Sequence, residues 1–470
     1  MEWNFVGRER ELRRLERAYE EDEFQFYPIK GRRRVGKTTL IKKFMEGKKG
    51  TYFSAIDVSP EENLKRLSKM LFGSDDDTSD FMTIMERVSE MSKDEKYILA
   101  IDEYPRLCVS GGVSGLIQNF VDDHEHSSKL FLIISGSSMS MMNHEIREES
   151  TPNYGRRSNT IDLKPFNYFE ARGFLEHYSE EDKMRIYGMV GGMPGYLWRF
   201  SKYDDVKKAL IELFLEPGAY FRSEPDAIML QEFTRPVTYG RVIATVADGY
   251  SASKDIATKL RMSAPLVDDY LKKLIQVGLI ERIVPVDNEN GRMTRYRVSD
   301  QFLAFFYRYV ARVDEEEGDE QLAIDAERIL KHQSEHLGHV FETVSMEYLR
   351  KTWGGEAGTW WGTDSLTRTT CEIDIILTRE DVDDFRYGLF VECKYRNEVT
   401  GVDVLDKLVY NSDLVKGYKE KSYAICSKSG FTENLEKKEG VLLLTLEDMV
   451  DGWSGKTSRR SGIRFRSTRC

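Results

Sequence analysis

The segment at residues 31–38 constrains the fold of this chain more than any other part of the sequence. It reads Gly-Arg-Arg-Arg-Val-Gly-Lys-Thr, follows a strand-like run at residues 26–29, and precedes a helical pattern at residues 39–44. A loop of this pattern between a strand and a helix surrounds phosphate groups with backbone N–H donors and the start of the helix. The sequence therefore predicts a nucleotide-binding α/β domain, with a coincidental glycine turn as the alternative.

The residues of this loop have separate expected roles. Lys37 is expected to contact the β- and γ-phosphates of ATP and to act in catalysis, and Thr38 is expected to bind Mg²⁺. The residues predicted to bind the nucleotide are Gly31, Arg32, Arg33, Arg34, Val35, Gly36, Lys37, Thr38 and Thr39.

Two further strand-like runs end in polar side chains that suit such a site. The run at residues 97–101 ends in Asp102 and Glu103. Asp102 is expected to hold Mg²⁺ and Glu103 to orient or deprotonate the attacking water, unless both residues only cap the next helix. The run at residues 130–134 ends in Ser135, which is expected to sense the γ-phosphate or else to form a turn.

Length and composition limit the remaining possibilities. A chain of 470 residues has room for about three domains. The formal net charge of −11 argues against a surface that coats nucleic acid indiscriminately, so any DNA contact should be regional. The five cysteines lie far apart without a Cys-x-x-Cys motif, and no apolar run approaches the roughly 18 residues that span a bilayer. We expect a cytoplasmic protein without membrane contact.

Hydrophobic patterns divide the chain into four segments. Residues 1–225 are expected to form a parallel α/β sheet of the P-loop NTPase kind with a helical lid. Residues 226–312 show short helices and then a hairpin, residues 313–330 form an acidic linker, and residues 331–470 form a separate α/β domain. The strands predicted for the first sheet are residues 26–29, 51–54, 97–101, 130–134 and 160–163.

The last segment carries a second group of ionisable residues. Asp374 lies on one predicted strand, and Glu392 and Lys394 share one face of the next strand. Glu342, on a preceding helix, adds another carboxylate. Hydrolysis of a phosphodiester requires carboxylates that bind Mg²⁺ or Mn²⁺ and a lysine that steadies the attacking water. We expect Asp374, Glu392 and Glu342 as metal ligands and Asp374, Glu392 and Lys394 as catalytic residues, with a binding-only domain as the alternative.

Several motifs of the first 220 residues together resemble the archaeal-type ATPases, which are relatives of the AAA+ and STAND NTPases. These motifs are the opening residues 5–12, the phosphate loop, residues 101–103, 134–137, 155–156, 163–166 and 191–196. The resemblance implies that Val6 and Gly7 lie near the adenine. It also suggests Arg156 as an arginine finger between subunits of a homo-oligomer, with a surface arginine as the alternative.

The other two segments also resemble known domains. Residues 253–298 resemble a winged helix-turn-helix, although Asp268 and Asp269 at the start of the predicted recognition helix would repel phosphates. This favours docking on the ATPase or a protein partner over DNA contact. The last segment resembles the PD-(D/E)xK core of restriction-endonuclease-like domains and the accessory domain of unknown function that many archaeal-type ATPases carry.

These observations predict an ATP-dependent, DNA-associated protein with a C-terminal nuclease-like domain. The alternative is a regulatory switch of the STAND kind, in which ATP binding controls a protein partner and the C-terminal domain is a catalytically inactive binding module. The two hypotheses differ in whether DNA stimulates ATP hydrolysis.

Overall fold

The computed structural model describes residues 5–107, 120, 128–139, 142, 159–287, 293–314, 316–383 and 385–455. It divides into two compact units. The first comprises Met1–Pro165 and Met193–Tyr196, and the second comprises Phe166–Gly192 and Leu197–Cys470. No helix within the described ranges is long and apolar enough to cross a membrane. The domain boundaries at residues 225, 312 and 330 stay predictions.

The first unit is built on a five-stranded parallel sheet in the order β2-β3-β4-β1-β5. Its strands are β1 (Gln25–Lys30), β2 (Gly50–Ser54), β3 (Tyr97–Asp102), β4 (Leu130–Gly136) and β5 (Ile161–Asp162). Its helices are α1 (Glu9–Glu20), α2 (Lys37–Met45), α3 (Pro60–Phe72) and α4 (Phe81–Met91). The five predicted strands are confirmed.

Strands β3 and β4 are buried along their whole length, as expected for central strands covered on both faces. Strand β4 lies between β1 and β3, and the register pairs Ile29 with Ser135 and Ile101 with Ile134. The carboxyl ends of the three strands therefore lie side by side, where ligands bind in open α/β sheets.

The second unit begins with a run of helices. They are α5 (Tyr168–Ala171), α6 (Glu180–Val190), α7 (Pro194–Phe200), α8 (Val206–Leu210), α9 (Glu224–Glu232), α10 (Pro236–Ala247), α11 (Ser253–Leu260) and α12 (Ala264–Gln276). Helix α7 starts in the segment that is grouped with the first unit. An antiparallel pair follows, β6 (Ile280–Ile283) and β7 (Arg295–Val298), and then α13 (Gln301–Phe305). Short helices followed by a hairpin is the order that the sequence predicts for this segment.

The end of the chain forms a mixed sheet in the order β12-β11-β10-β9-β8. Its elements are α14 (Asp319–His332), α15 (Ser334–Thr352), β8 (Glu356–Thr363), β9 (Thr370–Glu380), β10 (Arg386–Lys394), α16 (Val402–Leu414), β11 (Tyr418–Ser427), α17 (Glu433–Glu436), β12 (Val441–Thr445) and α18 (Leu446–Trp453). Strands β8, β9 and β10 are antiparallel, and β10, β11 and β12 are parallel.

The prediction of a linker at residues 313–330 is wrong for residues 319–330, because these residues belong to helix α14. Its apolar residues Leu322, Ala326 and Ile329 are buried and recur at helical spacing. The acidic composition of residues 314–320 hid this pattern, because it runs into the first turn of the helix at Asp319 and Glu320.

The hairpin of the middle segment docks on the edge strand of the C-terminal sheet. The backbone N–H of Val286 donates to the carbonyl of Thr359 at 3.1 Å, and the indole Nε1 of Trp360 donates to Asp287 at 3.0 Å. Arg295 forms an ion pair with Glu372 at 2.9 Å. The contacts of Val286 and Asp287 cover part of the edge of β8, where backbone groups would otherwise be unpaired.

Candidate nucleotide-binding site

The phosphate loop connects β1 to α2 and presents backbone N–H groups at the start of that helix. Gly36 precedes α2 with φ 97°, a left-handed conformation that glycine adopts without strain. A Cβ on Gly31 would lie 2.7 Å from the carbonyl oxygen of Leu163, so the loop passes too close to that backbone for any side chain. The first N–H groups of a helix have no partners within the helix and attract anions.

Lys37 lies between the loop and the end of β4. Its ammonium donates to the carbonyls of Gly31 at 2.7 Å and Arg32 at 3.2 Å, and to the hydroxyl of Ser137 at 3.0 Å. The side chain is buried. A buried cation beside the first N–H groups of α2 suits a polyphosphate.

Asp102, at the end of β3, is surrounded by hydrogen-bond donors. One carboxylate oxygen accepts from Thr38 Oγ1 at 2.5 Å and from the Tyr52 hydroxyl at 2.8 Å. The other accepts from the Ser135 hydroxyl and from the N–H of Glu103. Burial raises the pKa of Asp102, but the donors Ser135, Thr38 and Tyr52 and the charge of Lys37 outweigh it, so the pKa lies below its ordinary value. Asp102 is therefore an ionised carboxylate next to Thr38.

Glu103 turns back toward the loop because its backbone is left-handed, with φ 55°. This conformation is uncommon for a residue other than glycine, and strained backbone of this kind is concentrated at functional sites. The carboxylate of Glu103 accepts from the hydroxyl of Ser137, whose oxygen also contacts Lys37. Glu103 and Lys37 are thus joined through Ser137, which the sequence reasoning did not single out.

Two other segments of the first unit contact the phosphate loop. The guanidinium of Arg8 is buried and donates to the carbonyls of Val35 at 3.0 Å and Lys164 at 2.6 Å. The N–H of Gly195 donates to the carbonyl of Arg34 at 3.1 Å. Sequence reasoning missed Arg8, although it follows Val6 and Gly7 in the opening motif.

The predicted site residues differ in where they lie. Lys37, Thr38, Asp102, Glu103 and Ser135 are brought together, and they share their hydrogen bonds with Tyr52 and Ser137. The side chain of Val35 lies in the core and that of Arg33 is exposed, so a nucleotide contact at Val35 would use the backbone. Contact of Val6 and Gly7 with adenine stays a prediction, and Arg156 lies outside the described residues.

The C-terminal residues also converge. Asp374 on β9 accepts from the N–H of Cys393 on β10 at 2.7 Å, and Lys394 pairs with Glu392 at 2.5 Å. Burial raises the pKa of Asp374 well above its ordinary value, and the nearby charges of Glu392 and Glu342 raise it further. Glu342 on α15 therefore belongs to the same electrostatic cluster. No three His, Cys, Asp or Glu side chains in the described ranges are arranged to share a metal ion.

Comparison with known proteins agrees with this geometry. Residues 5–200 match the model of an ATPase domain found predominantly in Archaea. The uncharacterized protein MJECL04 of Methanocaldococcus jannaschii is 31% identical over 463 residues, which cover 94% of this chain and 99% of that protein. The chain belongs to the archaeal ATPase family. Family membership supports ATP binding and ATP hydrolysis by this archaeal ATPase.

Other matches cover parts of this archaeal ATPase. Residues 305–405 match DUF234, a family of archaeal and bacterial proteins of unknown function, which confirms the expected accessory domain. The uncharacterized ATP-binding protein MJ0423 of Methanocaldococcus jannaschii is 56% identical over 45 residues, or 10% of this chain and 76% of that protein. The Walker-type ATPase PABY2304 of Pyrococcus abyssi shares the fold, with a TM-score of 0.51 and 21% identity over 65% of this chain and 96% of that one.

Proposed function

We propose that this archaeal ATPase binds Mg²⁺-ATP in the phosphate loop and hydrolyses it with Glu103 as the base. The observation that carries the proposal is the convergence of four residues at the ends of β3 and β4, where Thr38 donates to Asp102 and Ser137 joins Lys37 to Glu103. Thr38 and Asp102 would hold the magnesium ion, which when bound supplies positive charge against the phosphates.

Each of these residues then has a separate role in ATP hydrolysis. Lys37 exchanges its carbonyl partners for phosphate oxygens and holds the phosphates against the start of α2. Glu103, kept in place by Ser137, accepts a proton from the attacking water. The hydroxyl of Ser135 donates a hydrogen bond to Asp102. A change in what the Asp102 carboxylate binds would therefore alter the position of Ser135.

The test compares two variants that separate binding from hydrolysis. We expect Lys37→Ala to lose tight ATP binding, because the buried cation is removed. We expect Glu103→Gln to bind ATP as the wild type does but to hydrolyse it about 10² to 10⁴ times more slowly. Fluorescent-nucleotide titration and phosphate release measure the two effects.

Glu86→Gln is the matched control, since Glu86 is an exposed acid on α4 of the same unit. It should leave both measurements unchanged. Hydrolysis by Glu103→Gln at the wild-type rate would exclude Glu103 as the base.

A second function is favoured by the C-terminal cluster, which we propose cuts DNA in a metal-dependent reaction. Asp374 and Glu392 lie on adjacent strands, Glu392 is paired with Lys394, and Glu342 interacts with Asp374. Mg²⁺ needs only one or two carboxylates when water and backbone oxygens complete its shell, so two aligned acids suit it. Lys394 would then position the attacking water.

Cleavage of plasmid and single-stranded DNA with Mn²⁺ tests this second function. We expect Asp374→Ala to lose cleavage by orders of magnitude, while Asp406→Ala, at an exposed position on α16, cuts as the wild type does. If the wild type does not cut, or Asp374→Ala cuts equally, the domain is a binding module. DNA-independent ATP turnover would then favour the STAND-like switch with a protein partner.

A further inference from the structure

Helix α1 carries four arginines on one face. Arg10, Arg13, Arg14 and Arg17 follow the spacing i, i+3, i+4 and i+7, and all four are exposed. The opposite side of the helix is apolar and packs inward through Leu15. We call the four arginines the arginine face.

The arginine face opens on a cavity of the first unit. The cavity has a volume of about 600 Å³, and its walls include all four arginines together with Tyr27 and Ile161. The guanidinium of Arg14 is held at the cavity by a hydrogen bond to the carbonyl of Thr160 at 3.1 Å. The cavity lies along the edge of the sheet formed by the two-residue strand β5.

The arginines are not neutralised by the acids around them. Within the described part of the chain, Arg10, Arg13 and Arg17 form no ion pair, whereas Glu16 pairs with Lys48 and Asp162 pairs with Lys164. Glu21 accepts from the neutral amide of Gln25 and therefore keeps its charge. Among the described residues of the cavity wall, the four arginines thus face two carboxylates without a lysine partner, Glu11 and Glu21.

We infer that the arginine face binds the phosphate backbone of duplex DNA, which deepens the proposed DNA association by giving it a location. Arginine presents a planar set of donors that contacts phosphate oxygens in pairs. From Arg10 to Arg17 a helix rises about 10 Å, which corresponds to about three base-pair steps along the axis of a duplex. The face therefore follows a backbone segment rather than a single anion.

The lining favours DNA over a protein partner. Arginine occurs at protein interfaces too, but there it accompanies a core of buried aromatic and apolar side chains. None of the large hydrophobic side chains that are exposed in the described residues lies on α1. The middle segment is a weaker candidate for the DNA contact. Its helix α12 exposes Asp268 and Asp269, which would repel phosphates, and its hairpin is docked on β8.

The test removes the unpaired charges and measures DNA binding against salt concentration. The variant Arg10→Ala/Arg13→Ala/Arg17→Ala keeps the helix, because alanine has the highest helix propensity. We expect its affinity for a labelled duplex to fall at least about tenfold at low salt. The slope of log K against log salt concentration should fall by about 3, one for each lost phosphate contact.

The control variant Lys65→Ala/Lys69→Ala/Lys93→Ala removes the same charge from positions that pair with acids in the same unit. It should bind as the wild type does, and both variants should hydrolyse ATP normally without DNA.

DNA binding by the arginine variant equal to that of the wild type would overturn this location of the DNA contact while leaving DNA association intact. Failure of the wild type to bind any duplex would overturn both. A lower oligomer mass of the arginine variant, without a loss of DNA binding, would make the face a protein contact and overturn the inference.

Discussion

At the scale of single residues, Asp102 depends on a donor that lies on a neighbouring strand. Tyr52 on β2 donates to the same carboxylate oxygen as Thr38, at 2.8 Å. Burial, and then the charge of Asp102, raise the pKa of Tyr52 to about 12, so its hydroxyl stays protonated and remains a donor. Tyr52 is therefore a positioning residue for the proposed magnesium ligand.

We predict that Tyr52→Phe weakens the response of ATP hydrolysis to Mg²⁺. Outer partners of metal ligands typically contribute about 10- to 100-fold to metal affinity or activity. The half-saturating Mg²⁺ concentration should rise by about tenfold, while the rate at saturating Mg²⁺ changes less. Because Tyr52 lowers the pKa of Asp102, its loss should also move the acidic limit of activity to higher pH.

The matched control for Tyr52→Phe is Tyr97→Phe, which removes a hydroxyl that contacts Thr51 in the same sheet. It should keep the wild-type Mg²⁺ dependence. A Tyr52→Phe variant with an unchanged Mg²⁺ titration and pH profile would show that Tyr52 has no part in holding Asp102.

The sequence could predict the residues whose order along the chain defines the site. Lys37 and Thr38 are fixed by the loop motif, and Asp102 and Glu103 by their place after a buried strand. Tyr52 could not be predicted, because its contact depends on β2 lying beside β3, with Ser54 paired to Asp102. The left-handed backbone of Glu103 has no local signal either, since glycine is the residue that normally marks it.

At the scale of elements, α15 carries a partly buried acid that makes stability depend on pH. Glu347 accepts from the N–H of Tyr168 at 3.4 Å, at the start of α5. Burial, and then the charge of Glu170, raise the pKa of Glu347 from 4.5 to about 7. Between these two values the folded protein holds a proton that the unfolded chain has released, so stability falls as the pH rises.

We predict that Glu347→Gln removes this pH dependence. Above pH 7 ionised Glu347 destabilises the second unit by about 3 kcal/mol, whereas below pH 4.5 it has no effect. The variant should therefore melt at a higher temperature than the wild type at pH 8 and at a similar temperature near pH 4. Glu356→Gln, an exposed acid at the start of β8, is the control. Equal melting curves of Glu347→Gln and wild type at pH 8 would contradict the prediction.

Elements with a strong hydrophobic period were predictable, and those without one were not. The strands of the first sheet are confirmed, and so are β9 and β10. Strand β8 was missed because glycines interrupt it and its apolar residues are confined to Trp360 and Trp361. The hairpin that contains Val286 contacts β8 but is distant from it in sequence. No local sequence pattern could therefore predict this contact.

At the scale of the whole molecule, the sequence predicted two candidate sites that are far apart along the chain. The phosphate loop lies in the first compact unit, and Asp374, Glu392 and Lys394 lie in the second. Sequence spacing alone could place Glu392 and Lys394 on one face of a strand. It could not show how far the fold removes Asp374 from solvent, which is what raises its pKa most.

We predict that Asp374→Asn stabilises the second unit while it removes cleavage. The folded-state pKa of Asp374 is raised by burial and by Glu392 and Glu342, so keeping Asp374 in the folded protein costs free energy at a pH above its ordinary pKa, and asparagine removes that cost. The variant should melt at a higher temperature than the wild type at pH 8 without metal. Mn²⁺ at 100 times its Kd should stabilise the wild type by about 2.7 kcal/mol and the variant much less. ATP hydrolysis should be unchanged, because Asp374 lies outside the unit that holds the phosphate loop.

Asp406→Asn, at an exposed position on α16, should respond to Mn²⁺ as the wild type does. A variant that melts below the wild type, or one that gains the same stability from Mn²⁺, would show that Asp374 is a structural residue rather than a metal ligand.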